Sequence, residues 1–116
     1  MDQTLEIIDN QTVKITLSTP IKRGDTTYQT VTLRAPVAAH LEGLSQELIK
    51  IKHTDHIQKL VSRISEPVIT RKDYMQLTLD DLNTINAALD FFSAPPSAKA
   101  EMREALAELG YITNAA

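Results

Sequence analysis

Residues 13–36, VKITLSTPIKRGDTTYQTVTLRAP, decide the fold of this chain. Two runs in which apolar and polar residues alternate flank the short sequence Arg23-Gly24-Asp25, and this alternation is typical of half-buried β-strands. Pro36 ends the second run, and proline is well suited to the first turn of a helix. We therefore predict an antiparallel hairpin over 13–35, followed by helices.

The register of this hairpin has two solutions. With a two-residue turn at Gly24-Asp25, a regular hairpin would place the apolar residues of its two strands on opposite faces. Pairing Leu17 with Val31 across a three-residue loop places them on one face. A bulge at Pro20, which lacks an amide hydrogen, would also place the apolar residues of both strands on one face.

The rest of the chain is predicted as a lead-in and helices. Residues 1–12 are expected to be a mobile lead-in, with a short edge strand at Leu5, Ile7 and Ile8 as the alternative. Helical spacing indicates a core over 36–92, a linker at Ser93–Pro96 and an extra helix over 97–110. The predicted fold class is a single α+β domain over 1–116, in which an N-terminal two-stranded antiparallel β-hairpin precedes a bundle of about four helices.

Apolar stripes and capping residues define these helices. Gly43 weakens the first helix and favours a kink or break there. Thr54 or Asp55, Thr70, Thr78 and Ser97 are candidate caps. The predicted inward stripes are Leu41, Leu44, Leu48 and Ile51; Ile57, Leu60, Val61 and Ile64; Leu82, Ile85, Leu89 and Phe92; and Met102, Ala105, Leu106 and Leu109.

Composition narrows the functional classes. The chain has 116 residues, a net charge of −3 and no cysteine. No apolar run approaches the length of a membrane span, and the first residues lack the pattern of a signal peptide, so an intracellular protein with no membrane partner is expected. The acidic balance argues against a nucleic-acid partner, which needs a surplus of Lys and Arg.

No residue pattern indicates an enzyme, a cofactor or a metal site. His53 and His56 lie near a helix start without an evident third ligand. Asp80 and Asp81 fall in the first turn of a helix, where the helix dipole favours acids. We therefore expect no catalytic residues and no cofactor.

The candidate partner-binding residues lie around the Ser93–Pro96 linker. Phe91 and Phe92 are adjacent and cannot both face one stripe; Phe92 fits the stripe, whereas Phe91 falls beside it. The favoured interpretation is that the last helix covers Phe91, and the alternative is that Phe91 binds a partner. The predicted partner-binding set is Phe91, Phe92, Met102, Leu106 and Leu109, with a last helix that a client can displace.

Three phrases of the sequence resemble the tail assembly chaperones of tailed bacteriophages of the Mu type. That family opens with a strand ending in L-S-x-P-I and a second strand ending in L-R-x-P, which correspond to Leu17–Ile21 and Leu33–Pro36. It closes with a leucine-rich helix ending in two phenylalanines. The third phrase is matched by Leu79, Asp80, Leu82, Ala88, Leu89, Phe91 and Phe92.

The resemblance implies a function that is not enzymatic. Proteins of this family bind the tape measure protein, help to recruit the tail tube protein, and are absent from the finished virion. It implies a location in the cytoplasm of the bacterial host, and self-association stays open. The alternatives are a structural or tail completion component of the virion and a small phage DNA-binding regulator.

Overall fold

The computed structural model describes residues 5–108, apart from the side chain of Leu106. Four strands form one antiparallel sheet in the order β1-β2-β3-β4: β1 (Leu5–Asp9), β2 (Thr12–Arg23), β3 (Thr26–Arg34) and β4 (Ser65–Glu66). A 3₁₀ turn (Ala38–Leu41) and five helices accompany it: α1 (Gln46–Lys50), α2 (Thr54–Ile64), α3 (Arg71–Tyr74), α4 (Leu79–Ser93) and α5 (Pro96–Glu108).

The predicted two-stranded hairpin is wrong, because the sheet gains a strand at each edge. β1 pairs with β2, with Ile7 opposite Val13, and Ile7 is fully buried, so residues 5–9 are not a lead-in. β4 pairs with only Thr32 and Leu33 of β3. The α+β class is right, but its sheet has four strands.

A bulge in β2 solves the register of the central hairpin. Ile15 pairs with Val31, and Ile21 pairs with Tyr28, so the register shifts between Thr16 and Ile21. The predicted pairing of Leu17 with Val31 is therefore wrong, and the alternative of a bulge at Pro20 is confirmed. The turn is the two-residue one, in which Gly24 takes a φ of +57° that favours glycine.

The start of α4 holds this bulge in place. Thr78 caps the helix by accepting a hydrogen bond from the Asp81 amide. The Asp81 carboxylate then accepts hydrogen bonds from the Ser18 amide at 2.8 Å, the Ser18 hydroxyl at 3.1 Å and the Thr19 amide at 3.3 Å. Asp81 is only 3% exposed, so its carboxylate serves the strand as well as the helix dipole.

The first predicted helix is broken, as Gly43 suggested. Gly43 has a φ of +76°, which separates the 3₁₀ turn from α1. Ser45 then caps α1 by accepting from the Leu48 amide. The next stripe is confirmed, since Ile57, Leu60, Val61 and Ile64 of α2 are buried, but the cap predicted at Thr54 or Asp55 is wrong, because α2 begins at Thr54 with His53 before it. Thr70 caps α3 as predicted.

Helix α4 presents a different face from the one predicted. Ile85 and Leu89 are buried as expected, but Phe91 is buried at 1% exposure while Phe92 is only half-buried. Ala88, one turn before Phe91, is fully buried too. The core thus lies between one face of the sheet and helices α2 and α4, and the small Ala88 side chain allows α4 to pack closely there.

Candidate interaction surface

The structure describes the side chains of three of the five predicted partner-binding residues, which are Phe91, Phe92 and Met102. Phe91 lies in the core, and the Lys99 ammonium of α5 stands 5.8 Å from the centre of its ring. Met102 is half-buried against the core. Of Leu106 only the backbone position in α5 is described, and Leu109 lies outside the described residues.

Helix α5 lies against its own domain. Besides the contact between Lys99 and Phe91, the Arg103 guanidinium donates to the Asn10 side-chain oxygen at 3.4 Å, and Ala107 packs against the core. The position of Lys99 over Phe91 agrees with the interpretation that the last helix covers this residue. Met102 is the described α5 residue of the predicted set that faces the core.

Phe92 is half-buried at the end of α4, beside Phe91. It follows Leu89 by three residues, so these two side chains lie on neighbouring parts of the helix surface, and its ring lies 6.0 Å from the Phe91 ring. Leu89, Asp90 and Ser93 of α4 line a groove. Phe92 is not one of the groove's lining residues and packs against the core next to Phe91.

This groove is the candidate interaction surface. It has a volume of about 560 Å³ and opens between α4, α2 and the segment from Pro36 to Lys52. Its apolar lining consists of Pro36, Leu41, Ile49, Leu60 and Leu89. An open cleft with mostly aliphatic walls is suited to receive apolar side chains of a partner.

Two exposed aliphatic side chains extend the apolar surface beyond the groove. Val37 is 60% exposed and directly follows the lining residue Pro36. Ile51 is 72% exposed and lies between Lys50 and Lys52, which both line the groove. Exposed apolar groups that adjoin an apolar groove are typical of a protein-binding surface.

A salt bridge fixes one side of the groove. Lys52 takes a φ of +60°, unusual for a residue with a side chain, and its ammonium lies 2.7 Å from the Asp90 carboxylate. This ion pair connects the end of α1 to α4, and thereby holds the segment that carries Ile51 beside α4. Because Lys52 and Asp90 are both partly exposed, the pair contributes more to position than to stability.

The prediction from the sequence identified only part of this surface. Leu41 and Ile51 were predicted on one inward stripe, yet the break at Gly43 leaves Leu41 in the groove wall and Ile51 in solvent. The signal that could have revealed it is Gly43 itself. A positive φ at that residue ends the 3₁₀ turn and starts α1 in a new direction.

A second cluster of charged residues secures the hairpin tip and not a binding site. Arg23 donates to the Asp73 carboxylate at 2.6 Å and to the Val68 carbonyl, and its guanidinium lies 5.6 Å from the centre of the Tyr28 ring. Burial acts to raise the pKa of Asp73, but hydrogen bonds from Arg23 and Thr70 outweigh it and hold this pKa below its ordinary value. The Arg23-Gly24-Asp25 sequence thus serves the fold through its arginine.

The predicted histidine pair does not converge with further ligands. The rings of His53 and His56 meet edge to face at 5.2 Å, and Asp55 turns to Arg71 at 3.1 Å, which lowers the pKa of Asp55. Within residues 5–108, no three His, Cys, Asp or Glu side chains are grouped to hold a metal ion. Over the same residues, no helix is long and apolar enough to cross a membrane.

Similarity to known proteins extends over the central hairpin and the helices up to α4. Residues 14–93 match the family described as phage tail assembly chaperone proteins, E, or 41 or 14, and the chain belongs to this family. The match includes the bulge, the groove and all of α4, and it ends before α5. The resemblance to a phage tail assembly chaperone is thereby confirmed, and its Mu type stays a prediction.

Two curated relatives come from Escherichia phage P2. Tail assembly protein E is 32% identical over 83 residues, which cover 72% of this chain and 91% of that protein. Tail assembly protein E′ is 35% identical over 68 residues, 59% of this chain, and the match spans 48% of that protein. No solved structure matches the chain.

Proposed function

We propose that this protein is a non-enzymatic chaperone that binds the tape measure protein and assists assembly of the tail tube around it. The observation that carries the proposal is the open apolar groove between α4, α2 and residues 36–52, in a member of a tail assembly chaperone family. We further propose that it acts in the cytoplasm of the bacterial host and leaves before the virion is complete.

The groove is suited to one face of an amphipathic helix. A helical client exposes apolar side chains at a spacing of three and four residues, and a groove of aliphatic residues can cover them. Leu41, Ile49 and Leu89 supply such walls, with Ile51 at the margin. Binding of this kind is reversible because the contacts between client and groove are non-covalent.

A second surface would become available if α5 moved. Displacement of α5 would uncover Phe91 and release the apolar side of α5, which carries Met102, Leu106 and Leu109 in the sequence. We propose that the client competes with the domain for this contact. The family match ends at residue 93, which supports a role for α5 separate from the common fold.

Ile51 offers a direct test of the groove. Ile51→Glu should weaken binding of the tape measure protein of the same phage roughly tenfold or more, because a buried isoleucine contributes about 1.5–3 kcal/mol. The measurement is isothermal titration calorimetry, in which tape measure fragments are added to the purified protein.

Leu79→Glu is the matched control, since Leu79 has the same 72% exposure as Ile51 but lies at the start of α4, away from the groove. Equal losses for the two variants, or no loss for Ile51→Glu, would contradict the groove as the client site. Recovery of the protein from purified virions would favour a tail completion component instead. Tight, salt-sensitive binding to a defined DNA duplex would favour a regulator.

A further inference from the structure

Within residues 5–108, one stretch of sheet edge has no neighbouring strand. β3 runs from Thr26 to Arg34, with β2 on one side, whereas β4 covers only Thr32 and Leu33 on the other. After β4 the chain no longer pairs with β3: Pro67 follows, the Val68 carbonyl accepts from the Arg23 side chain, and Ile69 enters the core. Residues 26–30 thus present one side of their backbone to solvent, and four of these five side chains are exposed.

Every other edge of the described sheet is protected. β1 is short and carries Glu6 and Asp9. The part of β2 that extends beyond β1 contains Pro20, and the Asp81 carboxylate occupies its amides at Ser18 and Thr19. The two-residue β4 carries Glu66 and is followed by Pro67. Charges, proline and short length are the usual means by which proteins block unwanted strand pairing.

The free part of β3 has none of these devices. Its sequence is Thr26-Thr27-Tyr28-Gln29-Thr30, without a charge, a proline or a glycine. Threonine and tyrosine are strong strand formers. An uncharged edge of this composition is suited to accept another strand through main-chain hydrogen bonds.

We propose that the occupant of this edge is the same edge of a second copy of the chain. In an antiparallel pair centred on Tyr28, Thr26 lies opposite Thr30 of the other copy, and Thr27 lies opposite Gln29. This register covers the free stretch from end to end, and none of the five residues that it pairs is charged. The contact is a two-fold symmetric one, in which each strand uses the same five residues, and it joins two sheets into one of eight strands. The groove lies elsewhere on each domain, so this pairing does not depend on the proposed function.

Paired substitutions at positions 27 and 29 test both the contact and its register. Thr27→Glu with Gln29→Glu places two acids opposite each other twice in the dimer and should weaken it roughly tenfold or more. Glutamate is acceptable at position 27 because Lys22 is its partner within the hairpin. Thr27→Glu with Gln29→Lys places opposite charges across the interface and should restore the dimer.

The measurement is sedimentation equilibrium of the full chain, from about 10 μM to about 1 mM, because an interface of five residues a side binds weakly. Gln11→Glu with Asn83→Glu is the control, since it adds the same charge at two exposed residues away from residues 26–30. Melting curves by circular dichroism should show that all variants stay folded. A wild-type chain that remains monomeric over this range would overturn the proposal, as would a dimer unaffected by the two acids or not restored by the opposite charges.

Discussion

Asp81→Ala should be among the most destabilising substitutions of a polar residue in this protein. The Asp81 carboxylate accepts from two backbone amides, those of Ser18 and Thr19, and from the Ser18 hydroxyl, while being only 3% exposed itself. A backbone amide left without a partner costs about 1–3 kcal/mol, and the lower end applies here because Ser18 and Thr19 are partly reached by water. We therefore expect the free energy of unfolding to fall by about 2–4 kcal/mol.

Asp80→Ala is a matched control for this prediction. Asp80 precedes Asp81 in the same helical turn and is exposed, so its removal costs only its interaction with the helix dipole, about 0.3–1 kcal/mol. Urea denaturation at neutral pH, followed by circular dichroism, gives both values from one experiment. If the two variants lost the same stability, Asp81 would act through the helix dipole alone, and the reasoning about the bulge would be refuted.

Three further predictions concern the hairpin tip, α4 and α5. The pKa of Asp73 is lowered in the folded state, so the Asp73–Arg23 contact stabilises the protein above about pH 4, and this contribution is lost as the pH falls through the folded pKa. The unfolding free energies of the wild type and of Asp73→Asn should therefore converge in acid. A difference that does not change with pH would contradict this. Phe91→Ala should lower the free energy of unfolding by about 3–5 kcal/mol, and Phe92→Ala should lower it clearly less, as thermal melts can determine. Equal losses would support the helix face predicted from the sequence, which includes Phe92. Removal of residues 97–116 should leave a folded domain, since the family match ends at residue 93. The truncated protein should bind the tape measure protein more tightly in a calorimetric titration, because α5 no longer competes for the contact at Phe91. Unfolding or an unchanged affinity would contradict displacement of α5.

The sequence predicted those elements whose patterns are local. Alternation identified β2 and β3, helical spacing identified α2 and α4, and Thr70 and Thr78 were recognised as caps. It also restricted the central register to two solutions, because the parity of the apolar residues excluded a regular two-residue hairpin. The bulge that occurs needs the Asp81 carboxylate from α4, which no local pattern contains.

The errors have a common cause in tertiary packing. β1 is a short segment, expected only as an alternative edge strand, whose Leu5 and Ile7 become buried because β2 offers an edge, and β4 is two residues long. The spacing of the large apolar residues of α4 selected Phe92, which follows Leu89 by three residues, whereas the buried face continues from Ala88 to Phe91. The groove depends on the direction of the chain after Gly43, which is a property of the whole fold.

The contact between Ser18 and Asp81 has a consequence for how this family can diverge. The two residues are 63 positions apart, yet two of the three bonds to the Asp81 carboxylate come from backbone amides, which do not depend on the side chains at positions 18 and 19. A substitution of Asp81 leaves both amides without this acceptor, whereas a substitution of Ser18 removes only the hydroxyl bond. We therefore expect the second acid of α4 to be kept among relatives that keep the bulge, and the serine of the first phrase to vary more freely.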